Sequence, residues 1–336
     1  MLNFEQGDDN GMNRSYIERQ KLRDMNYKVN EVYRAEARSE LLRESVREAI
    51  KSLPPIEIYD RPPMYHKSGD RELALCLGDF HYGAEIRVEG LQGETLNEFN
   101  SEVFERRMSD LLEQTQEIIR KEDIEVVHVF LVGDLLDGML RQSQLMRLQY
   151  GLVESTVRLC ESLALWLAKL GMYSEVHVYA CTGNHSEIRP LKAKAREFED
   201  ENLEKIILWY LADRFAEHTY MHIHDECKRM VLANVCGYSF LLLHGDGWKN
   251  IKQIAQDAVN LYQKPIDFFI CGHLHNGQEF PAGYTPDGNA VIVRTPSLCG
   301  VDRYAQSLGC AGSAGAVAMV IERGYGRRCV YPITLK

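Results

Sequence analysis

No stretch of this 336-residue chain approaches the ~18 uncharged apolar residues that a membrane helix needs. The opening MLNFEQGDDNGMNRSYIERQ lacks the apolar core of a signal peptide, which argues against export and for a cytoplasmic protein with no membrane partner. The nine cysteines form no CxxC pair, so a zinc ribbon and a thioredoxin-like motif are excluded. Many of them sit inside apolar runs (LALCLG, YACTG, FFICG), where cysteine acts as a small buried hydrophobe and stays a reduced thiol. GxxxxGK[ST] and GxSxG are both absent, and Gly309, Gly312 and Gly315 lack dinucleotide spacing. Positive charge is short as well. Lys plus Arg number 39 against 49 Asp plus Glu, a net −10 that argues mildly against a nucleic-acid partner.

What is present is ordinary apolar content, 45%, enough for a core, and eleven histidines, five of which stand in short motifs beside glycine. Residues 1–13, with GDDNG, read as a disordered tail. Residues 14–53 lack Gly and Pro and repeat Leu22, Met25, Val29, Val32 and then Leu42, Val46, Ala49, Leu53 at helical steps, which predicts a helical arm. That arm suits packing on the main domain or pairing with a second copy; contact with nucleic acid is the minor alternative. Pro54, Pro55, Pro62 and Pro63 mark residues 54–71 as an extended linker. From 72 to 336 one catalytic domain is expected. Strands ELALCL, VVHVFL and VHVYA alternate with helices over 101–121, 143–170 and 191–215. MVLANV, YSFLLL, DFFIC, AVIVR, AVAMVIE and CVYPITL then come as strands, with one helix at 250–263. The pattern predicts an α/β (α+β) domain of two packed sheets with helices outside.

Five apolar runs end in glycine or histidine followed at once by metal-capable side chains. They are Gly78-Asp79-Phe80-His81, Gly133-Asp134-Leu135-Leu136-Asp137, Gly183-Asn184-His185, His244-Gly245-Asp246 and Gly272-His273-Leu274-His275. In open α/β sheets ligands bind beyond the carboxyl ends of the strands, so strands ending side by side would aim these groups into one cleft. A lone Gly-Asp or His is weak evidence; five in one order is strong.

The order GDxH … GDxxD … GNH … H … GHxH resembles the calcineurin-like metallophosphoesterase superfamily, from about Glu72 to at least His275. The resemblance implies a four-layer αββα sandwich of two mixed β-sheets and a dinuclear metal centre. It assigns Asp79, His81 and His275 to one ion, Asp134 to both, and Asn184, His244 and His273 to the other. Carboxylate, amide and imidazole without thiolate suit hard or borderline divalent ions, Mn²⁺ first, with Zn²⁺, Fe or Ni²⁺ open. Two such ions can share a hydroxide for in-line attack on a phosphoester. By the same resemblance His185 serves the leaving oxygen, and Asp137 orients His185; a simple helix cap is the alternative for Asp137.

The family's protein phosphatases continue GDxxDRG and GNHE, whereas this chain reads GDLLDGM and GNHSE, with Gly138 in place of the phosphate-gripping arginine. GDFHYG is closer to the start of the DNA-repair exonuclease branch, although that branch reads GNHD, and the whole is similar to phage or prophage phosphoesterases. The expected activity is a phosphodiesterase or nuclease acting on DNA or RNA. A phosphomonoesterase or cyclic-nucleotide phosphodiesterase is the alternative, and an inert scaffold of the same fold the third reading. Arg87, Arg141, Arg189, Arg294 and Arg303 are candidates to grip further phosphates, and Trp248 either stacks on a base or packs on the next helix.

Overall fold

The computed structural model describes residues 19–23, 25, 40, 43–44, 47–48, 50–51, 53–54 and 56. From Asp70 onward it describes all but 139, 141–143, 145–147, 189–200, 249 and 311. The chain divides into two compact units, Met1–Ser52 and Leu53–Lys336. In the first, the described residues from 19 to 51 are all helical. The tail at 1–13 and most of the linker lie outside the described residues.

The second unit is built on β1 (Arg71–Leu77), β4 (Val126–Leu131), β5 (Glu175–Ala180) and the short β6 (Met221–Ile223), each parallel to the next. β12 (Gly315–Glu322) and β13 (Gly326–Thr334) extend the other edge antiparallel, giving the order β13-β12-β1-β4-β5-β6. The second sheet runs β10-β11-β9-β8-β7, from β7 (Met230–Val235), β8 (Tyr238–Leu243), β9 (Phe268–Cys271), β10 (Gln278–Thr285) and β11 (Gly288–Arg294). β8, β9 and β11 are mutually parallel. The near-continuous apolar runs of β1, β4, β8 and β9 result from burial on both faces.

Between the sheets Phe130, Tyr179, Phe240, Phe268, Ile270 and Met319 form the main core. Each such side chain contributes roughly 1.5–3 kcal/mol on burial. Helix α1 (Ser101–Glu122) and helix α2 (Leu152–Gly171) cover the outer face of the first sheet. Asn100 caps the start of α1 by accepting from the Val103 N–H. Helix α3 (Leu203–Arg214) comes next, and helix α4 (Ile251–Tyr262) packs on the outer face of the second sheet through Ile254, Ala255 and Ala258. The arrangement is the expected αββα sandwich.

Three local differences stand out. Within the helix expected at 143–170, Gln144 is helical and 143 and 145–147 lie outside the described residues, but Leu148 bridges to Ala84 and Gly151 is extended, so the long helix starts at Leu152. The described part of the helix expected at 191–215 is Leu203–Arg214, capped by Asn202. A hairpin of β2 (Ile86–Glu89) and β3 (Thr95–Phe99), and the five-residue helix α5 (Arg303–Ser307), carry too little apolar periodicity to be legible.

Candidate metal centre

Every motif loop leaves the carboxyl end of a parallel strand. β1 leads into Asp79 and His81, β4 into Asp134 and Asp137, β5 into Asn184 and His185, β8 into His244, and β9 into His273 and His275. The loops are cross-tied. Both Asp79 carboxylate oxygens accept from the His273 backbone N–H, at 3.2 and 2.9 Å. Asp134 Oδ1 accepts from the His185 N–H at 2.7 Å. The Asp79 carbonyl is held by the Ser297 hydroxyl at 2.9 Å and the Cys299 N–H at 3.2 Å. Buried Arg107 in turn clamps the carbonyls of Leu298 and Cys299.

Eight of the nine expected site residues are joined by direct contacts; Asn184 follows Gly183 in the same loop, its Oδ1 buried without a partner. Asp79, His81 and Asp134 place ligand-type atoms within 4.8 Å of one another, and so do Asp134, His244 and His273, so Asp134 belongs to both groups. His275 Nε2 lies 3.1 Å from His81 Nε2. His185 Nδ1 meets Asp137 Oδ1 at 2.8 Å, beside Gln144, whose amide donates to the same oxygen at 3.3 Å.

Backbone strain concentrates here. Asp79, His81, Asp134, His273 and His275 are five of the eight non-glycine residues with positive φ among the described residues. Such conformations cost about 1–2 kcal/mol each and persist where surrounding contacts over-determine them, which is common at functional sites. Close packing of the loops explains the glycines. A Cβ on Gly183 would stand 2.1 Å from the Asp134 backbone N, and one on Gly138 would stand 2.1 Å from the His185 carbonyl. Gly138 therefore stands where an arginine's Cβ would collide with the histidine loop.

The donor set fits divalent cations. His244 Nδ1 faces the Val132 carbonyl at 2.9 Å, and a carbonyl only accepts, so the ring proton sits on Nδ1. His244 Nε2 then turns toward Asp134 Oδ2 at 2.8 Å, an approach that requires a cation or an additional proton between them. Asn184 Oδ1 and His275 Nδ1 are buried with no hydrogen-bond partner. Burial, opposed by His244, leaves Asp79 raised to about 6, while burial is overcome by His244, His185 and His81 at Asp134, whose carboxyl falls well below the usual range. Burial is likewise outweighed by Asp137 and Asp134 at His81, which rises to about 9, whereas burial and His244 lower His273 to about 4.

Two features are not legible in the sequence. Glu204, fully buried in the first turn of α3, accepts hydrogen bonds from the N–H groups of Leu135 and Gly183 and from the Ser186 hydroxyl. No spacing marks it. A cleft of about 950 Å³ opens beside His81, Asp137 and His185, walled by the β2–β3 hairpin and α5, with Arg87 and Arg303 among its lining. Arg294 instead bonds the Asn276 carbonyl and stacks over Phe280, away from that cleft. Trp248 packs beside α4, its N–H donating to Asp257. Arg141 and Arg189 lie outside the described residues.

A model of the calcineurin-like phosphoesterases matches residues 73–277, more than half of the chain, and the chain belongs to that family. It is a metal-dependent phosphoester hydrolase by that membership. The chain is similar, at 29% identity over 323 residues, to the SPbeta prophage-derived uncharacterized protein YonJ of Bacillus subtilis (strain 168), covering 95% of this chain and 78% of that one. Similar solved structures include an archaeal phosphodiesterase (TM-score 0.39, 11% identity, 78% of this chain and 99% of that one). Zinc-complexed Vps29 from Entamoeba histolytica is another (TM-score 0.34, 12% identity, 74% and 84%). A 5'-nucleotidase precursor from Thermus thermophilus is a third (TM-score 0.36, 12% identity, 79% and 54%). Among the described residues no helix is long and apolar enough to cross a membrane.

Proposed function

We propose that this chain is a dinuclear phosphodiesterase acting on DNA or RNA. Asp79, His81 and His275 would hold one ion, Asn184, His244 and His273 the other, and Asp134 both. Mn²⁺ is the first candidate. When bound, two divalent ions supply Lewis-acid stabilisation of the phosphoryl charge and an activated nucleophile. The protein's own part is the Asp137–His185 pair: the carboxylate accepts from Nδ1 at 2.8 Å and turns Nε2 outward, and the ring, with a second proton on Nε2, would give that proton to the leaving oxygen.

The observation that carries the diester reading is the 950 Å³ cleft beside His185. It offers room for a second ester substituent, and Arg87 and Arg303 in its lining would be the groups to bind a further phosphate. Glu85, Glu98 and Asp302 share those walls, so grip on a polyanion away from the metals is weak, and this favours short or single-stranded substrates. The same carboxylates favour the second reading, a cyclic-nucleotide or monoester substrate. Pairing of two copies through the 14–53 arm belongs to the same proposal.

One panel with Mn²⁺ tests this: bis- and mono-nitrophenyl phosphate, cyclic nucleotides, and labelled single- and double-stranded DNA and RNA. Turnover of the bis-ester and of single strands is expected. Turnover of monoesters alone would refute the diester reading.

A further inference from the structure

Four of the eleven histidines gather on or just after β4, β5 and β6 of the first sheet, outside the motif loops of the phosphoesterase centre. His128, His177 and His222 occupy directly paired positions on the adjacent parallel strands β4, β5 and β6. Paired positions point to one face, so the three rings form a row, stacked at 5.0 Å and 4.5 Å between centroids. His224 lies two residues further along. Glu175 begins β5, at the opposite end of that strand from the loop carrying Asn184.

His128 Nε2 turns to Glu72 Oε2 at 2.9 Å, and the Glu175 carboxylate collects the other two rings of the row. Its Oε1 lies 3.2 Å from His177 Nε2 and 3.1 Å from His222 Nε2. The three ligand atoms all lie within 4.8 Å of one another. Around a tetrahedral zinc ion with bonds of about 2.0–2.1 Å, neighbouring ligands stand about 3.3 Å apart, close to both measured separations. On its other side His177 Nδ1 lies 3.2 Å from His224 Nε2. With the proton of that contact on Nδ1, His177 Nε2 presents a lone pair to the carboxylate, the tautomer a metal ligand needs and the usual role of a ligand's second ring nitrogen. His222 is the most open of the three side chains, at 40% exposure, so its ring can turn to aim at the same point and the ion has a path from solvent.

We propose that Glu175, His177 and His222 bind a third divalent transition-metal ion, Zn²⁺ by preference, separate from the two ions of the phosphoesterase centre. Two imidazoles and one carboxylate leave a fourth position for water. The ion would pin β6, an edge strand of only three residues, to β5. The competing arrangement needs no metal, with both Nε2 atoms protonated and donating to Glu175.

The two differ in where the ring protons sit and in metal count, and the count is the quantity to measure. The full chain is stripped with chelator, re-loaded with Zn²⁺, desalted and analysed for ions per chain, alongside the single variants His222→Gln and Glu175→Gln. Glutamine at 222 can still donate to Glu175 but ligates zinc poorly. Three ions per chain are expected for the unaltered protein and two for either variant, with the Mn²⁺-dependent phosphoesterase rate unchanged. A fourth protein, Asp134→Asn with His244→Asn, removes binding at the phosphoesterase centre. It should still take up one Zn²⁺ with a rise in Tm, and Co²⁺ should give it the visible spectrum of a tetrahedral site. Three ions in His222→Gln, or no Zn²⁺ uptake by the double variant, would overturn the proposal. Because the count does not depend on turnover, failure of the phosphodiesterase reading would leave it standing.

Discussion

The Ser186 hydroxyl donates to Glu204 at 3.0 Å, and through that contact a serine has its place after the GNH motif of this chain. Glu204 stands on α3, 18 positions from Ser186, 21 from Gly183 and 69 from Leu135, yet its two oxygens tie the loop after β4 to the loop after β5. Burial, reinforced by nearby Asp134, raises its carboxyl to about 7, a cost offset by three hydrogen bonds.

Glu204→Gln replaces one acceptor by a donor that faces a backbone N–H. It should cost about 2 kcal/mol or more of stability, and it should weaken metal binding. Ser186→Ala removes one donor and leaves the carboxylate two others, so a loss of about 1 kcal/mol is expected. Thermal denaturation and Mn²⁺ titration of both variants check this. Equal losses would mean that Glu204 does not organise the loops.

Asp137→Asn should lower turnover roughly 10–100-fold while both ions stay bound, because Asp137 meets His185 at 2.8 Å and the ligand His81 only at 3.7 Å. His185→Ala should cost more, roughly 10²–10⁴-fold. Metal analysis beside steady-state kinetics separates the two effects. Loss of metal in Asp137→Asn would assign Asp137 to the metal through His81, whose Nδ1 lies 3.7 Å away.

Metal binding should release protons. In the metal-free site His81 is raised to about 9 and Asp79 to about 6, and each must be deprotonated to ligate. Protons therefore compete increasingly as pH falls: at His244, where Asp134 outweighs burial and holds the ring well above the usual histidine range, at His81 below about 9, and then also at Asp79 below about 6. Apparent Mn²⁺ affinity should drop at least about tenfold per pH unit across the upper part of that window and more steeply below about 6. Calorimetry in two buffers of different ionisation enthalpy measures the protons directly; a pH-independent affinity would contradict the charge arrangement.

Gly183→Ala should be severely destabilising, about 3 kcal/mol or more, because its Cβ would stand 2.1 Å from the Asp134 backbone, which has no room to retreat. Gly151→Ala is the contrast: nothing lies within 4 Å of the added carbon, and a change within about 1 kcal/mol is expected. Urea denaturation of the pair decides it.

Strand ends were readable because buried parallel strands are continuous apolar runs and the residues after them are the ones that reach a cleft. Asp79, Asp134, Asn184, His244 and His273 could thus be picked out as a set of strand-end motifs in one order, though none of them singly. The β2–β3 hairpin, which walls the cleft, was not readable: IRVE and TLNEF are half-exposed and carry polar residues at most positions. Glu204 was not readable either, since its partners are two backbone amides and a hydroxyl brought to it from other loops. His128, His177 and His222 carry no local signal, being separated by 49 and 45 positions, and only register across three strands aligns them.

The order and chemistry of the motif residues were therefore set by sequence alone, because local hydrophobic pattern dictates where a buried strand stops and which side chains come directly after it. Which loops touch, which carboxylate supports them, how wide the cleft is and which histidines meet were decided by tertiary structure. Those properties depend on strand order and on backbone approaches of a few ångströms between segments far apart in the chain, and no local pattern encodes them.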